Sequence, residues 1–216
     1  MHKLFISRML RLLCFGGFFL ASGWLWNCQP VPNMRGPQKL DPKYETQLTR
    51  WTSSAQIYHS LDSIMTVHGT LVSPAFREAL GNQYVEIFGI DPGRVDSDLE
   101  TIATSVGRGH EFFIFADTND RSWNNLDARD SVWRLGLWGA EDQLGVPPLS
   151  IHRFRGRGPN LRAFFPYLNE FGRSYLVIFP IEQANGQPVL GPKAGSLTLR
   201  MSSAFGSAAM NWKVKG

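Results

Sequence analysis

The chain has 216 residues, of which 43% are apolar, with 22 Lys and Arg against 18 acids and two cysteines. That length suits one domain with a core large enough to stand without disulfides, and two cysteines cannot build a disulfide scaffold. Lys3, Arg8 and Arg11 precede every acid, and the remaining 19 cations nearly balance the 18 acids. The net charge of +4 is therefore not the concentrated basic footprint that nucleic-acid binding requires.

His2, Lys3, Arg8 and Arg11 form a basic start, and Leu12 to Trp26 then runs without a charge. A membrane-spanning helix needs roughly 20 apolar residues, so this run is short for a permanent span. Residues 1–27 instead have the anatomy of an export signal. The segment ends Leu25-Trp26-Asn27-Cys28-Gln29-Pro30. With Cys14 inside the apolar run, Cys28 is the one cysteine left after processing. A basic start, an apolar run and a lone cysteine before a polar segment resemble a bacterial lipoprotein signal. Leu25 stands where that family has leucine, while Asn27 stands where it has a small residue. The resemblance implies a diacylglyceryl group on the Cys28 thiol, cleavage just before Cys28 and acylation of the new amino group, which would attach the protein to a membrane. Gln29, in place of the aspartate that retains such proteins at the inner membrane, implies the outer membrane. Two other outcomes fit the same residues: ordinary cleavage near Ala21-Ser22-Gly23, leaving Cys28 a free thiol, or an uncut N-terminal anchor.

Pro30, Pro32, Pro37 and Pro42, with Gly36 among them, predict an extended tether over 28–50 that carries a folded domain of 51–216. In that domain, 55–72 alternates imperfectly and predicts one bent strand, or two with a break near Asp62. Ser73-Pro74 is a helix start, and Phe76, Leu80, Tyr84 and Ile87 follow on one helical face, with Gly89 as the stop. Asp91-Pro92 repeats the signal before Val95, Leu99, Ile102 and Val106. Strands are predicted at 110–116, 131–138, 149–154, 161–165, 174–180, 196–202 and 208–214, all rich in aromatic or β-branched residues. Turn signals separate them, among them Asn185-Gly186 and Phe205-Gly206. The helices come as one block, about 73–107, so no parallel βαβ sheet is implied. The expected fold is mainly β: an antiparallel two-sheet sandwich, immunoglobulin-like, with a two-helix insertion packed over an edge or end.

Chemistry-bearing motifs are sparse. His2, His59, His68, His110 and His152 form no HxxxH or HxH pair, so no zinc site is expected, and no cofactor. "DTNDRSWNNLDARD" begins like a calcium loop at Asp117 and Asn119, then fails the EF-hand spacing at Arg121 and Ser122. No nucleophile elbow, SxxK or Walker loop is present. Charge is uneven: residues 91–150 carry 11 acids and five cations, whereas 151–216 carry nine cations and two acids. Arg153, Arg155, Arg157 and Arg162 cluster there. The first three share a parity that an extended chain would project to one side, a candidate anion-binding set. The alternative is a solvated hairpin that pairs with the acidic half. Trp123 and Trp212 are candidate exposed platforms, unless they fill the core. The expected function is a non-catalytic envelope lipoprotein, lipid-anchored at the outer membrane or periplasmic, that meets a protein or polymer partner. The alternatives are a carbohydrate-binding module, or a hydrolase whose site assembles only in space.

Overall fold

The computed structural model describes residues 39–94, 98–104, 109–139, 144–154, 159–190 and 195–214. Residues 1–27, expected to be an export signal, lie outside the described residues, as do Cys28, Arg155 and Arg157. In chain order the elements are α1 (Pro42–Trp51), β1 (Thr52–His59), β2 (Asp62–Leu71), α2 (Pro74–Phe88), a 3₁₀ turn (Pro92–Arg94), α3 (Asp98–Thr104) and β3 (His110–Thr118). Then come β4 (Arg134–Trp138), β5 (Ser150–Phe154), α4 (Pro159–Phe164), β6 (Arg173–Phe179), β7 (Ser196–Ser203) and β8 (Gly206–Lys213). The strands form two antiparallel sheets, ordered β1-β2-β3-β6-β5 and β4-β7-β8. This is a two-sheet β-sandwich, with five and three strands where the immunoglobulin arrangement has four and three. Among the described residues no helix is long and apolar enough to cross a membrane.

The central strand shows how the layers arise. β3 reads HEFFIFADT and is buried on both faces. Phe112 points to the smaller sheet, where its ring lies 5.0 Å from that of Trp212. Phe113 points the other way and stacks on Phe165 at 4.3 Å. A continuous apolar run of this kind marks a strand covered on both sides. The second cover is helical. Tyr44 of α1 and Tyr84 of α2 both pack on Phe164, and Phe76 of α2 packs on Phe165. The helices thus cover the outer face of the five-stranded sheet, not an edge or end of the sandwich. The reason is Phe113 and Phe115, which need burial on that face.

The expected tether ends sooner than 50, because 42–51 is α1. Asp41 caps it by accepting from the Lys43 backbone N–H, and Pro42 sits in its first turn, where proline starts a helix instead of breaking one. Tyr44, Leu48 and Trp51 are buried at helical spacing. Ten residues make a marginal helix alone. Burying three large side chains, at about 1.5–3 kcal/mol each, is what holds it. The second correction is 161–165, expected as a strand, of which 161–164 lie in α4 and Phe165 follows directly. Leu161, Phe164 and Phe165 are buried at i, i+3 and i+4, the helical pattern, in a run too short to show its period. The third is β4, which begins at Arg134 and not at Ser131, whose hydroxyl accepts from the Trp133 N–H at 3.2 Å.

The 55–72 region is two strands. His59 pairs with Asp62 across a Ser60-Leu61 turn, with Ser60 at φ 57°. Leu61 is 97% exposed at the tip, off the face it shares in the linear pattern. The two sheets meet along β1 and β8. The Asn211 N–H donates to Ser53 Oγ at 3.3 Å, and Trp212 Nε1 donates to the Trp51 carbonyl at 2.7 Å.

Candidate binding face on the smaller sheet

The larger sheet has its outer face covered by helices. The smaller sheet turns Leu135, Leu137, Leu197, Leu199, Met201, Met210 and Trp212 into the core. Strand alternation then sends the intervening residues outward. Strand register arranges them in rows. Trp138, Thr198 and Asn211 are cross-strand neighbours, as are Gly136, Arg200 and Ala209, and Ser196 is paired with Lys213. All of these except Gly136 line a groove of about 670 Å³.

Trp138 is the large outward-facing side chain of this groove, which the edge of the buried Trp212 also lines. Its ring lies across the backbone of two glycines. A Cβ on Gly136 would stand 2.6 Å from the ring, and one on Gly145 would also collide with it. No residue with a side chain fits either position without moving the indole. The Arg200 guanidinium carbon lies 4.9 Å from the ring centroid, a cation–π contact. Gly136 and Ala209, its row neighbours, leave space around it. The Thr198 hydroxyl donates to Asn211 Oδ1 at 2.7 Å, which makes Nδ2 the donor end of this exposed amide. The outward positions of these three strands hold Arg134, Arg200 and Lys213 and no acid. Arg134 is engaged locally: its Nη1 donates to the carbonyls of Trp133, at 3.0 Å, and Ser131. Arg200 and Lys213 are the cations of the groove. An aromatic plate, amide and hydroxyl groups and two cations suit non-covalent recognition.

Of the candidate anion-binding arginines, Arg153 and Arg162 belong to the described residues. Arg153 lies on β5 and Arg162 on α4, while Arg155 and Arg157 lie outside the described residues. Arg153 sits half-buried opposite Tyr175, on the face of β5 away from Phe154. Arg162, on α4, donates to Glu170 at 2.9 Å, a partner within the same basic segment.

The other candidates have local roles. Trp212 is 2% exposed and is core, not a platform. Trp123 is half-buried and stacks on Phe205 at 4.5 Å. In the acidic loop, Asp120 accepts from the backbone and hydroxyl of Ser122, and these bonds hold its carboxyl below the usual range. Asp117 accepts from Asn169 Nδ2 at 2.7 Å. Among the described residues no three His, Cys, Asp or Glu are grouped to share a metal ion. His68 stacks on Tyr167 at 4.9 Å, and burial lowers its pKa. His110 is lowered by burial too.

Sequence reasoning passed over Trp138, although it carried the signal. Val132, Arg134, Gly136 and Trp138 form the outward parity of a strand whose other parity is apolar, and a tryptophan on that side is the anomaly. No protein-family model, no curated protein and no solved structure matches this chain.

Proposed function

We propose that this protein is a membrane-anchored envelope lipoprotein of non-catalytic role, which displays the β-sandwich and binds an envelope polymer or protein partner. The observation that supports binding is the outer face of β4-β7-β8, which no element covers among the described residues, with Trp138 fixed on two glycines beside Arg200. The anchor rests on the N-terminal residues and their lipoprotein resemblance. Cys28 precedes the Asp41 cap by thirteen residues, a reach of at most about 45 Å for extended chain. Two or more acyl chains hold a protein stably on a bilayer where one gives only marginal binding.

Two measurements test the parts separately. For the anchor, fatty-acid label in the native host should enter the wild type and be lost in Cys28→Ala; equal labelling of both would refute attachment at Cys28. For binding, a photo-crosslinking residue at position 213 should capture a defined envelope component in cells. A free monomer at saturating illumination would count against a partner. A second reading, a carbohydrate-binding module, is favoured by Trp138, since sugar rings stack on such plates.

A further inference from the structure

The turn between Ile181 and Val189 carries the chain's single Asn-Gly sequence, Asn185-Gly186. We propose that Asn185 is a site of spontaneous deamidation and that the folded turn gates it, so that conversion to aspartate and isoaspartate proceeds from the opened turn. This rests neither on the lipid anchor nor on the binding reading of the smaller sheet.

The reaction needs two groups to meet. The Gly186 nitrogen gives up its proton and bonds to Asn185 Cγ. The Cγ–Nδ2 bond breaks, and Nδ2 leaves as ammonia. Water then adds to either carbonyl of the cyclic imide and opens it, leaving a carboxylate on an ordinary or a lengthened backbone. A side chain on the following residue crowds the attack. Glycine has none, whereas every other asparagine of the chain is followed by a residue with a side chain. Asn185 and Gly186 are both exposed, so base and water reach them.

The closed turn ties up both reacting groups. The Gly186 N–H donates to the Gln183 carbonyl at 2.9 Å, so loss of its proton requires that this bond break. Asn185 Oδ1 accepts from the Gln187 N–H at 3.0 Å, which holds the side-chain amide toward residue 187. Gly186 sits at φ 76°, a left-handed conformation that glycine takes without steric cost, so closure stores no backbone strain. The stem is closed by the Gln183 N–H on the Gln187 carbonyl and the Val189 N–H on the Ile181 carbonyl, both at 2.8 Å. Val189 is the one buried residue between 181 and 189. Its carbonyl lies so close to Gly139 that a Cβ there would overlap it. A segment held by few buried contacts opens by itself, well below the free energy of global unfolding. Deamidation therefore follows the withdrawal of Val189 and not the unfolding of the sandwich. Isoaspartate would lengthen the backbone within the turn, undo the pairing of Gln183 with Gln187, and loosen the contact with Gly139 at the margin of the smaller-sheet groove.

The test follows position 185 by peptide mapping and mass spectrometry in the full-length chain, held at neutral pH in a polyoxyethylene detergent, beside a free peptide of residues 181–189. The peptide should convert. The folded chain should convert at least about tenfold more slowly, yet ahead of every other asparagine. Protection of the Gly186 amide from hydrogen exchange should match that slowing, because the same opening exposes the nitrogen to both reactions. Val189→Ala should speed conversion in the folded chain and leave the peptide rate unchanged, with a cooperative urea transition showing the sandwich intact. Hydrogen exchange on the unmutated chain keeps the test open if that variant does not fold. Equal rates in peptide and folded chain would overturn the gate. No conversion at 185, or earlier conversion at another asparagine, would overturn the site. Slow conversion beside an unprotected Gly186 amide, or an unchanged rate in folded Val189→Ala, would overturn opening of this turn as the controlling step.

Discussion

The least expected side chain is Asn124, a member of the acidic loop whose polar residues suggest only turns or an ion. It is 1% exposed. Its Nδ2 donates to the Ala116 carbonyl at 2.6 Å, and the Tyr175 hydroxyl lies within hydrogen-bonding distance of both its oxygens. Arg173 Nη1 also donates to its backbone carbonyl. Asn124 therefore pins the 119–133 loop to β3 and β6. Asn124→Ala should cost about 2 kcal/mol, since it removes the donor to the buried Ala116 carbonyl while the Tyr175 hydroxyl keeps the backbone carbonyl of residue 124, whereas Tyr175→Phe should cost about 1 kcal/mol. Urea unfolding checks both, and equal costs would contradict this ranking. His68 and His110 give a second prediction at this scale. Burial lowers both below the ordinary 6.5, so the unfolded chain takes up their protons first. Their neutral forms leave stability intact above 6.5, and it falls as pH drops through 6.5 toward the folded values. The urea midpoint should therefore be lower at pH about 5.5 than at about 7.5, with a smaller difference in His110→Phe. These roles were not legible in the sequence, because a buried asparagine and a turn asparagine look alike until their partners are known.

Among the elements, those with a long run and a clear period were legible. α2 has its cap and stop as expected: Ser73 Oγ accepts from the Phe76 N–H at 3.1 Å, and Gly89 adopts φ 66°. Ser73→Ala should cost about 1 kcal/mol in urea unfolding. β6, β7 and β8 also fall where their alternation predicts. α1 and α4 were hidden for different reasons. In α4 the apolar run is too short to separate helix from strand. In α1 the proline signal is ambiguous, since Pro42 can mark either a break or a first turn, and only the packing of Tyr44, Leu48 and Trp51 decides between them. The structure makes α1 part of the core, through those three residues and through the Tyr44 hydroxyl, which donates to the Phe164 carbonyl at 2.9 Å. A chain beginning at Trp51, the boundary that the prolines suggest, should therefore lose cooperative unfolding. One beginning at Lys39 should keep it. Calorimetry of the two chains decides, and a sharp transition in the shorter one would mean that α1 is dispensable.

For the whole molecule, the sandwich was legible and its helical cover was not. Alternation says which residues share a face of a strand, but not what lies over that face, because pairing brings Phe113 to Phe165 across 52 residues. The unbroken run of β3 was the one clue that both of its faces are covered. Among the described residues, the larger sheet thus has protein on both sides, and the smaller sheet has protein only on its inner side. On the proposed reading, binding falls to the smaller sheet, and an anchor at Cys28 would act through the segment before Leu40, where the buried core begins. Anchor and fold should then be separable. With a protease site inserted after Gly36, cleavage on isolated membranes should release the sandwich into the supernatant. Its urea midpoint should match that of the uncut protein, because the elements that hold the core start at Pro42. The release should be near complete, since each buried CH₂ contributes about 0.8 kcal/mol and all of the acyl chains stay with the membrane fragment. Retention of the cut sandwich in high salt and mild detergent wash would mean that the sandwich itself grips the envelope. In Trp138→Ala, loss of that retention would identify the outer sheet face as the grip, and its persistence would move the contact elsewhere on the fold.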